Sequence, residues 1–298
     1  MATVKKGTMN RAVQYADPPS IKTVVAELPI ETPGPGEVLV RITGQVGGHE
    51  GIGEVIEQGP GVTTPEIGAK VGIKYAADAC LNCENCLVGG ETSCSQVKVS
   101  GYFTPGTFQQ YVISSAKYVT PIPDGIDLAA AAPLMCGGVT VYAALKRSNT
   151  KHGDWVLVTG AGGGLGHLAI QFAKAIGARV IAVDSGSKES FCKGFGADAF
   201  VDFTKFSTDE DITAEVRRIA PNGVKTVIAC ATPTRSYNQT IGFLGFRGVL
   251  VCLGLPENDR TPIKGAEAFT LLNNELTIMC KILAFPLQIW DWQKADKF

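Results

Sequence analysis

Residues 154–184 read DWVLVTGAGGGLGHLAIQFAKAIGARVIAVD, and this stretch decides the fold of the second half of the chain. A short apolar strand leads into a glycine-rich turn, a segment with helical spacing that ends at Gly177, and a second apolar strand. Strands this apolar are typical of parallel sheets covered on both faces. DAFVDF, VKTVIAC and GVLVCLGL continue the series of strands, with DITAEVRRIA as a helix among them. Alternating strands and helices predict an α/β domain with a doubly wound parallel sheet.

The glycine-rich turn GAGGGLG, residues 160–166, is close to the dinucleotide-binding pattern G-x-G-x-x-G. The best register places Ala161, Gly163 and Gly166 at the three glycine positions. Glycines allow a tight turn and close approach of backbone N–H groups to a pyrophosphate at the start of a helix. We therefore predict a Rossmann unit that binds a dinucleotide with Gly160, Ala161, Gly162, Gly163, Gly164, Leu165 and Gly166. The alternative is a strand–helix turn that merely needs glycines.

Asp184 ends the strand that follows this helix, as expected for the acid that binds the adenosine ribose. Its carboxylate would accept hydrogen bonds from both ribose hydroxyls and repel a 2′-phosphate, which favours NAD over NADP. Lys188 is placed to reach the same ribose. The alternative role for Asp184 is that of a helix N-cap.

The first part of the chain, residues 1–125, is rich in Gly, Pro and β-branched residues and reads as an all-β, barrel-like domain. Its strand candidates are GEVLVRI, GIGEVIEQG, AKVGIKY and FQQYVISS. From Asp127 an Ala-rich run to Ser148 predicts one long helix that contains Cys136. The expected domains are therefore 1–125 (β) and 126–280 (Rossmann), followed by a tail, 281–298, that continues no earlier pattern.

Four of the nine cysteines cluster in CLNCENCLVGGETSC, with the spacing C-x2-C-x2-C-x7-C. Structural zinc sites use four tetrahedral ligands, often all thiolates. The spacing thus predicts a closed zinc site made of Cys80, Cys83, Cys86 and Cys94. Four free thiols and an iron–sulfur cluster are the alternatives.

Composition limits the classes of function. The chain has 298 residues, a net charge of −1 and no long basic run, so nothing in it favours nucleic acid or an anionic membrane. No apolar run approaches the roughly 20 residues of a membrane span, and the first residues lack a signal peptide's apolar stretch. We expect a cytoplasmic protein.

The motifs GGHEGIGEV, CLNCENC, SGYFTPGTFQQY, LMCGGVTVYAAL and VLVTGAGGGLGHLAIQFAKA resemble those of zinc-containing medium-chain alcohol dehydrogenases of the fungal ethanol type. The resemblance implies a GroES-like β-barrel catalytic domain followed by the Rossmann domain. It also implies NAD, a primary alcohol or aldehyde substrate, a homo-oligomer, and a catalytic zinc that prepares the alcohol for hydride transfer.

The resemblance assigns the catalytic-site residues by motif. His49 and Glu50 match a His–Glu pair beside the catalytic zinc, Cys136 matches a zinc-binding Cys, and Thr140 matches a residue that lines the nicotinamide. The family's first zinc-binding Cys follows the strand GEVLVRI, but here VRITGQVGGHE holds none and no cysteine precedes Cys80. We predict that His49 and Cys136 lie close together, with Glu50 the one plausible third ligand.

Two departures from the family pattern leave three functions open. The segment with the zinc-binding Cys and the proton-relay residues is missing, and residues 281–298 depart from the dimer-forming region, so oligomerisation is doubtful. The chain is then an impaired zinc-dependent alcohol dehydrogenase, an inactive NAD-binding remnant, or a zinc-free quinone-type reductase. His49 as a structural histidine and Cys136 as a buried thiol are the corresponding alternatives for these two residues.

Overall fold

The computed structural model describes residues 8–16, 22–45, 48–255 and 261–280. The described chain divides into two compact units, one reaching Val139 and the other beginning at Thr140. The predicted tail, 281–298, lies outside the described residues, as do Val46 and Gly47, which precede the GGHE motif.

The first unit is built from antiparallel β-structure. A five-stranded sheet has the order β8-β3-β4-β5-β9, and β1 pairs with β2, and β6 with β7, in separate ladders. A cluster of valines with Ile73 forms its core, and Val38 and Val40 alternate along β3 as period-2 strands require. The strands are β1 Met9–Tyr15, β2 Thr23–Pro29, β3 Glu37–Gln45, β4 Gly51–Gln58, β5 Lys70–Ile73, β6 Ala76–Asp78, β7 Lys98–Val99, β8 Tyr111–Ser115 and β9 Thr120–Pro121.

Short helices complete the first unit. Helix α1 spans Glu84–Leu87 within the cysteine loop, and α2 spans Leu128–Ala131. Two 3₁₀ turns cover Glu91–Ser93 and Ala132–Met135.

The second unit is the predicted doubly wound sheet. Six parallel strands have the order β12-β11-β10-β13-β14-β15. This order runs outward in both directions from β10 and is the Rossmann arrangement, which confirms the α/β prediction. Helix α3, Gly137–Arg147, starts at the end of the first unit and continues into the second. The other elements of the second unit are β10 Trp155–Thr159, α4 Gly164–Ala175, β11 Arg179–Asp184, α5 Glu189–Gly194, β12 Ala199–Asp202, α6 Asp209–Ile219, β13 Val224–Ala229, α7 Thr234–Phe243, β14 Leu244–Cys252, α8 Ala268–Asn273 and β15 Thr277–Cys280.

Both faces of β10 are buried, which explains its unbroken apolar sequence. Val156 and Val158 share one hydrophobic cluster with Ile170 of α4. Leu157, between them, belongs to a second cluster with Ile212 of α6 and Phe243 at the end of α7. Successive side chains of a strand point to opposite faces, so helices cover both sides of the sheet.

The prediction of one long helix from Asp127 to Ser148 is wrong. The Asp127 carboxylate caps only a short helix, accepting the Ala129 N–H at 2.9 Å. Pro133 has no N–H to continue α-helical bonding, and the chain tightens into a 3₁₀ turn. Cys136 follows with φ −132° and ψ −70°, outside helical geometry, and α3 begins at Gly137. Cys136 thus lies at a break between helices.

Within the described ranges, no single helix is long and apolar enough to cross a bilayer, although Leu128–Met135 and Gly137–Arg147 together reach that length and composition.

Candidate functional site

The four predicted zinc ligands come together on the loop that follows β6. Cys83 immediately precedes α1, Cys86 lies inside it, and Cys94 follows the 3₁₀ turn. Gly89 has φ +76°, a left-handed conformation that reverses the chain after α1 and favours glycine. Local turns thus bring the last cysteine back to the first three.

The sulfur positions fit one tetrahedral zinc ion. Cys80 Sγ lies 3.8 Å from Cys86 Sγ and 3.6 Å from Cys94 Sγ, and Cys83 Sγ lies 3.5 Å from Cys86 Sγ. Ligand sulfurs at about 2.3 Å from a common centre would be about 3.8 Å apart. All four sulfurs lie within 4.8 Å of one another, and within the described part of the chain this is the one convergent group of three or more His, Cys, Asp or Glu. The donor set is that of a closed, structural zinc site.

Backbone N–H groups favour the thiolate form at this loop. Hydrogen bonds to the Cys80 sulfur, of which that from the Asn82 N–H has the largest effect, lower the pKa of Cys80 to about 6. The N–H of Gln96 donates to Cys94 Sγ at 3.3 Å. Burial raises the pKa of Cys86, and a bound cation would favour its thiolate form. Four thiolates at this spacing would therefore be stabilised by a metal ion.

The second predicted cluster lies in the same unit, where the Cys136 thiol is within hydrogen-bonding distance of both His49 and Glu50. His49 Nε2 lies 3.3 Å from Cys136 Sγ. A nitrogen and a sulfur bound to one tetrahedral zinc would be about 3.5 Å apart, so these two atoms suit a shared ion. Glu50 accepts the Gly137 N–H at 3.2 Å and is also hydrogen-bonded to Cys136. Its carboxylate is thus engaged beside the pair.

Burial shifts the pKa values of this cluster toward the neutral forms of its side chains. It lowers the pKa of His49 and raises that of Glu50, the latter opposed by the Gly137 N–H and Cys136. Burial, with the nearby Glu50 charge, raises the pKa of Cys136 to about 12. A neutral thiol is a weak nucleophile, so the pair is not an activated Cys–His dyad.

A cavity of about 840 Å³ opens beside His49 within the first unit. Tyr75 packs edge-on against the His49 ring, with centroids 5.5 Å apart. Tyr75 is not among the residues that the sequence predicts for the site; it lies two positions after β5, which pairs with β4, the strand that follows His49 and Glu50. The cavity walls are largely apolar and aromatic and include Asn10, Leu39, His49, Tyr75, Phe108 and Tyr111.

The glycine loop of the second unit has the geometry its sequence predicts. It lies between β10 and α4, and Gly160 has φ +61°. A Cβ on Gly166 would lie 2.2 Å from the Gly160 carbonyl oxygen, so the helix approaches the loop too closely for any side chain. Ala161 is fully buried beneath the turn. Gly164 and Leu165 open the helix, where N–H groups have no intrahelical acceptor.

Asp184 is tied to this loop from the end of β11. Its Oδ2 accepts the Gly162 N–H at 2.8 Å, and its Oδ1 accepts the Ser185 N–H at 2.7 Å. The Lys188 side chain lies over Gly162, where an added Cβ would come within 2.8 Å of the lysine stem. The structure thus brings Asp184 and Lys188 to the glycine loop. Thr140, on α3, is buried.

Comparisons with known proteins identify both units. Residues 29–124 match the alcohol dehydrogenase GroES-like domain, and residues 164–295 match the zinc-binding dehydrogenase domain. Alcohol dehydrogenase 2 of Emericella nidulans is 44% identical over 89% of this chain and 82% of its own length. An alcohol dehydrogenase of Schizosaccharomyces pombe is 39% identical over 85% and 77%.

Solved structures agree with the sequence relatives. A crystal structure titled NAD-dependent alcohol dehydrogenase superposes with a TM-score of 0.82 at 26% identity, over 96% of this chain and 88% of that one. The structure of AibC superposes with a TM-score of 0.83, also at 26% identity. The β-rich unit is therefore the expected GroES-like domain. The chain belongs to the zinc-containing medium-chain alcohol dehydrogenase family, which uses nicotinamide cofactors to interconvert alcohols and carbonyl compounds.

Proposed function

We propose that this chain is an NAD-linked alcohol dehydrogenase of the family's zinc-dependent type whose catalytic metal site lacks one ligand. One observation carries the proposal: His49 Nε2 and Cys136 Sγ lie 3.3 Å apart, at a spacing suited to one zinc ion. A catalytic zinc needs three protein ligands and one open position. The sequence holds no cysteine before Cys80, so the family's third ligand is missing.

Glu50 is a poor replacement for that ligand. Its carboxylate accepts the Gly137 N–H and is hydrogen-bonded to Cys136. The carboxylate would have to break these hydrogen bonds in order to bind a metal. A bound zinc supplies positive charge that favours loss of the alcohol's proton. His49 and Cys136 would hold such an ion, while Glu50 orients the thiol and the backbone around Gly137.

The same proposal assigns NAD to the second unit. The pyrophosphate would lie against the N–H groups at the start of α4, from Gly163 to Gly166, with Lys188 alongside. Each Asp184 oxygen accepts one backbone N–H, from Gly162 and from Ser185, whereas a carboxylate has about four acceptor sites. Asp184 therefore keeps acceptor capacity for the ribose hydroxyls. Thr140 is proposed to line the nicotinamide.

Asp184→Gly is expected to reduce the preference for NAD over NADP at least about tenfold, because it removes the charge that repels a 2′-phosphate. Isothermal titration with both cofactors measures the ratio of the two dissociation constants. Asp184→Asn is the matched variant, since it keeps an acceptor for the Gly162 N–H and removes only the charge. Tighter binding of NADP than of NAD by the unmodified protein would contradict the assignment.

Oxidation of ethanol and other primary alcohols by this chain is expected to be very weak or undetectable. Even the loss of residues that support a metal ligand costs about 10–100-fold in metal affinity or activity, and here a ligand itself is missing. NADH formation by protein of verified sequence and known zinc content is the measurement. Robust ethanol oxidation would show that Glu50 or another residue completes the site.

Zinc content separates this proposal from its competitors. One tightly held zinc per chain fits an occupied structural site together with an incomplete catalytic site. In that case, measurable alcohol turnover indicates an impaired enzyme, and its absence indicates an inactive NAD-binding remnant. Two zincs would indicate a complete dehydrogenase. No zinc would favour a quinone-type reductase, although the converging cysteines argue against that outcome.

A further inference from the structure

A buried ammonium group lies close to the four-cysteine loop. Lys74 follows β5 and is only 8% exposed. Its Nζ lies 3.4 Å from Thr120 Oγ1 and 4.5 Å from the centre of the Tyr118 ring. Lysines usually extend their charge into water, because burying an ammonium group costs free energy unless a partner compensates. The position of Lys74 therefore calls for a nearby negative charge.

Tyr118 connects this lysine with the cysteines. Its side chain is 3% exposed and belongs to the same buried cluster as Cys86 and Cys94, together with Ala76 and Ala79. A tyrosine ring attracts a cation over its face, more strongly when water is excluded. The Lys74 ammonium group thus lies over the Tyr118 ring, and the same ring packs in the buried cluster that contains Cys86 and Cys94.

Glu91 supplies the negative charge from within the cysteine loop. It is 7% exposed and opens the 3₁₀ turn, and its carbonyl oxygen accepts the Cys94 N–H at 3.0 Å. Burial lowers the pKa of Lys74 to about 8, and the Glu91 charge counteracts this effect. The two buried charges therefore act on each other, and the backbone of Glu91 holds Cys94 directly.

We propose that Lys74, Tyr118 and Glu91 form a buried support that fixes Cys94 and slows loss of zinc from the four-cysteine loop. Four thiolates around a divalent ion carry a net charge of about −2, and two of the sulfurs, those of Cys86 and Cys94, are almost fully buried. Buried charge of one sign is stabilised by a buried counter-charge with good geometry. Lys74 is that counter-charge, and Glu91 couples it to the turn that places the last ligand.

Lys74→Met tests the buried support, because methionine fills a similar volume without charge. We expect zinc transfer to a chromophoric chelator to become about 10–100-fold faster, the range for loss of groups that support metal ligands. Lys70→Met is the matched control, because Lys70 is exposed on β5, the strand that Lys74 follows, and this variant should release zinc at the wild-type rate. A Lys74→Met rate equal to that of Lys70→Met overturns the proposal.

A double-mutant cycle guards against a general folding defect. Glu91→Gln should also speed zinc release, and Lys74→Met combined with Glu91→Gln should be no faster than the faster single variant, because the two charges act on each other. Multiplicative effects would mean independent roles and overturn the coupling. The double variant also leaves no unpaired charge buried, so it remains measurable if Lys74→Met does not fold.

Cobalt substitution provides a readout independent of turnover. With Co²⁺ in the four-cysteine loop, the thiolate-to-metal absorption bands should shift or weaken in Lys74→Met and stay unchanged in Lys70→Met. Identical spectra in both variants count against a role in fixing Cys94. The inference rests on zinc binding by this loop. A wild-type chain that holds no zinc would contradict both the zinc site and the buried support. If the wild-type chain holds one zinc and Lys74→Met releases it at the same rate as Lys70→Met, only the buried support is contradicted.

Discussion

Cys94→Ser should empty the four-cysteine loop of metal and lower the stability of the first unit by several kcal/mol. Binding of structural zinc provides apparent free energies of about 10–16 kcal/mol in small zinc domains, and much of this is folding free energy. The four sulfurs lie within 4.8 Å of one another, so one substitution leaves three thiolates without a closed coordination shell. Zinc analysis should give about one ion fewer per chain, and the thermal midpoint should fall by about 10 °C.

Cys252→Ser is the control for losing a thiol elsewhere, since Cys252 lies on β14 of the second unit. Its zinc content should equal that of the wild-type chain. A chelator that removes zinc should lower the wild-type midpoint to that of Cys94→Ser and leave the variant unchanged. A Cys94→Ser protein that retains its zinc and its midpoint would rule out the four-cysteine site.

Gly166→Ala is expected to destabilise the second unit by about 1–3 kcal/mol or more, the usual cost of overpacking a close contact. The added Cβ would lie 2.2 Å from the Gly160 carbonyl oxygen and 2.6 Å from the Ala161 Cα, both of which are backbone atoms. The helix would have to move away from the loop, which also displaces the N–H groups proposed to bind pyrophosphate. Urea unfolding and NAD titration should both register the change.

Gly164→Ala is the matched control in the same turn. A Cβ at Gly164 meets no atom within 4 Å, so the stability of the unit without cofactor should stay unchanged or rise slightly with the better helix former. Weaker NAD binding by a fully stable Gly164→Ala would mean that the cofactor itself occupies that space. Equal stability of the Gly166 and Gly164 variants would contradict the close packing.

The second unit could be predicted from sequence because its signals are local. Leu157 and its neighbours face opposite sides of a sheet covered by helices, so the whole strand is apolar and easily recognised. Gly160 and Gly166 are required by backbone geometry within one short turn. The convergence of Cys80, Cys83, Cys86 and Cys94 was equally predictable, since their close spacing favours a metal-binding loop.

Features that depend on distant contacts could not be predicted in the same way. The alanine-rich run suggested one helix, yet Pro133 ends it and places Cys136 at a break. Lys74 reads as an ordinary surface lysine, yet the folded chain buries it and places its ammonium group over the Tyr118 ring. The local sequence around a residue does not show which residues from distant parts of the chain will contact it.

The two clusters also differ in how far apart their members lie along the chain. Cys80 and Cys94 are 14 positions apart, whereas His49 and Cys136 are separated by 87. Closing the shorter loop costs less chain entropy, and its ligands need only local turns. We therefore expect the cysteine loop to be able to bind a metal ion before the rest of the first unit has folded. The His49–Cys136 pair forms only once the surrounding tertiary structure is complete.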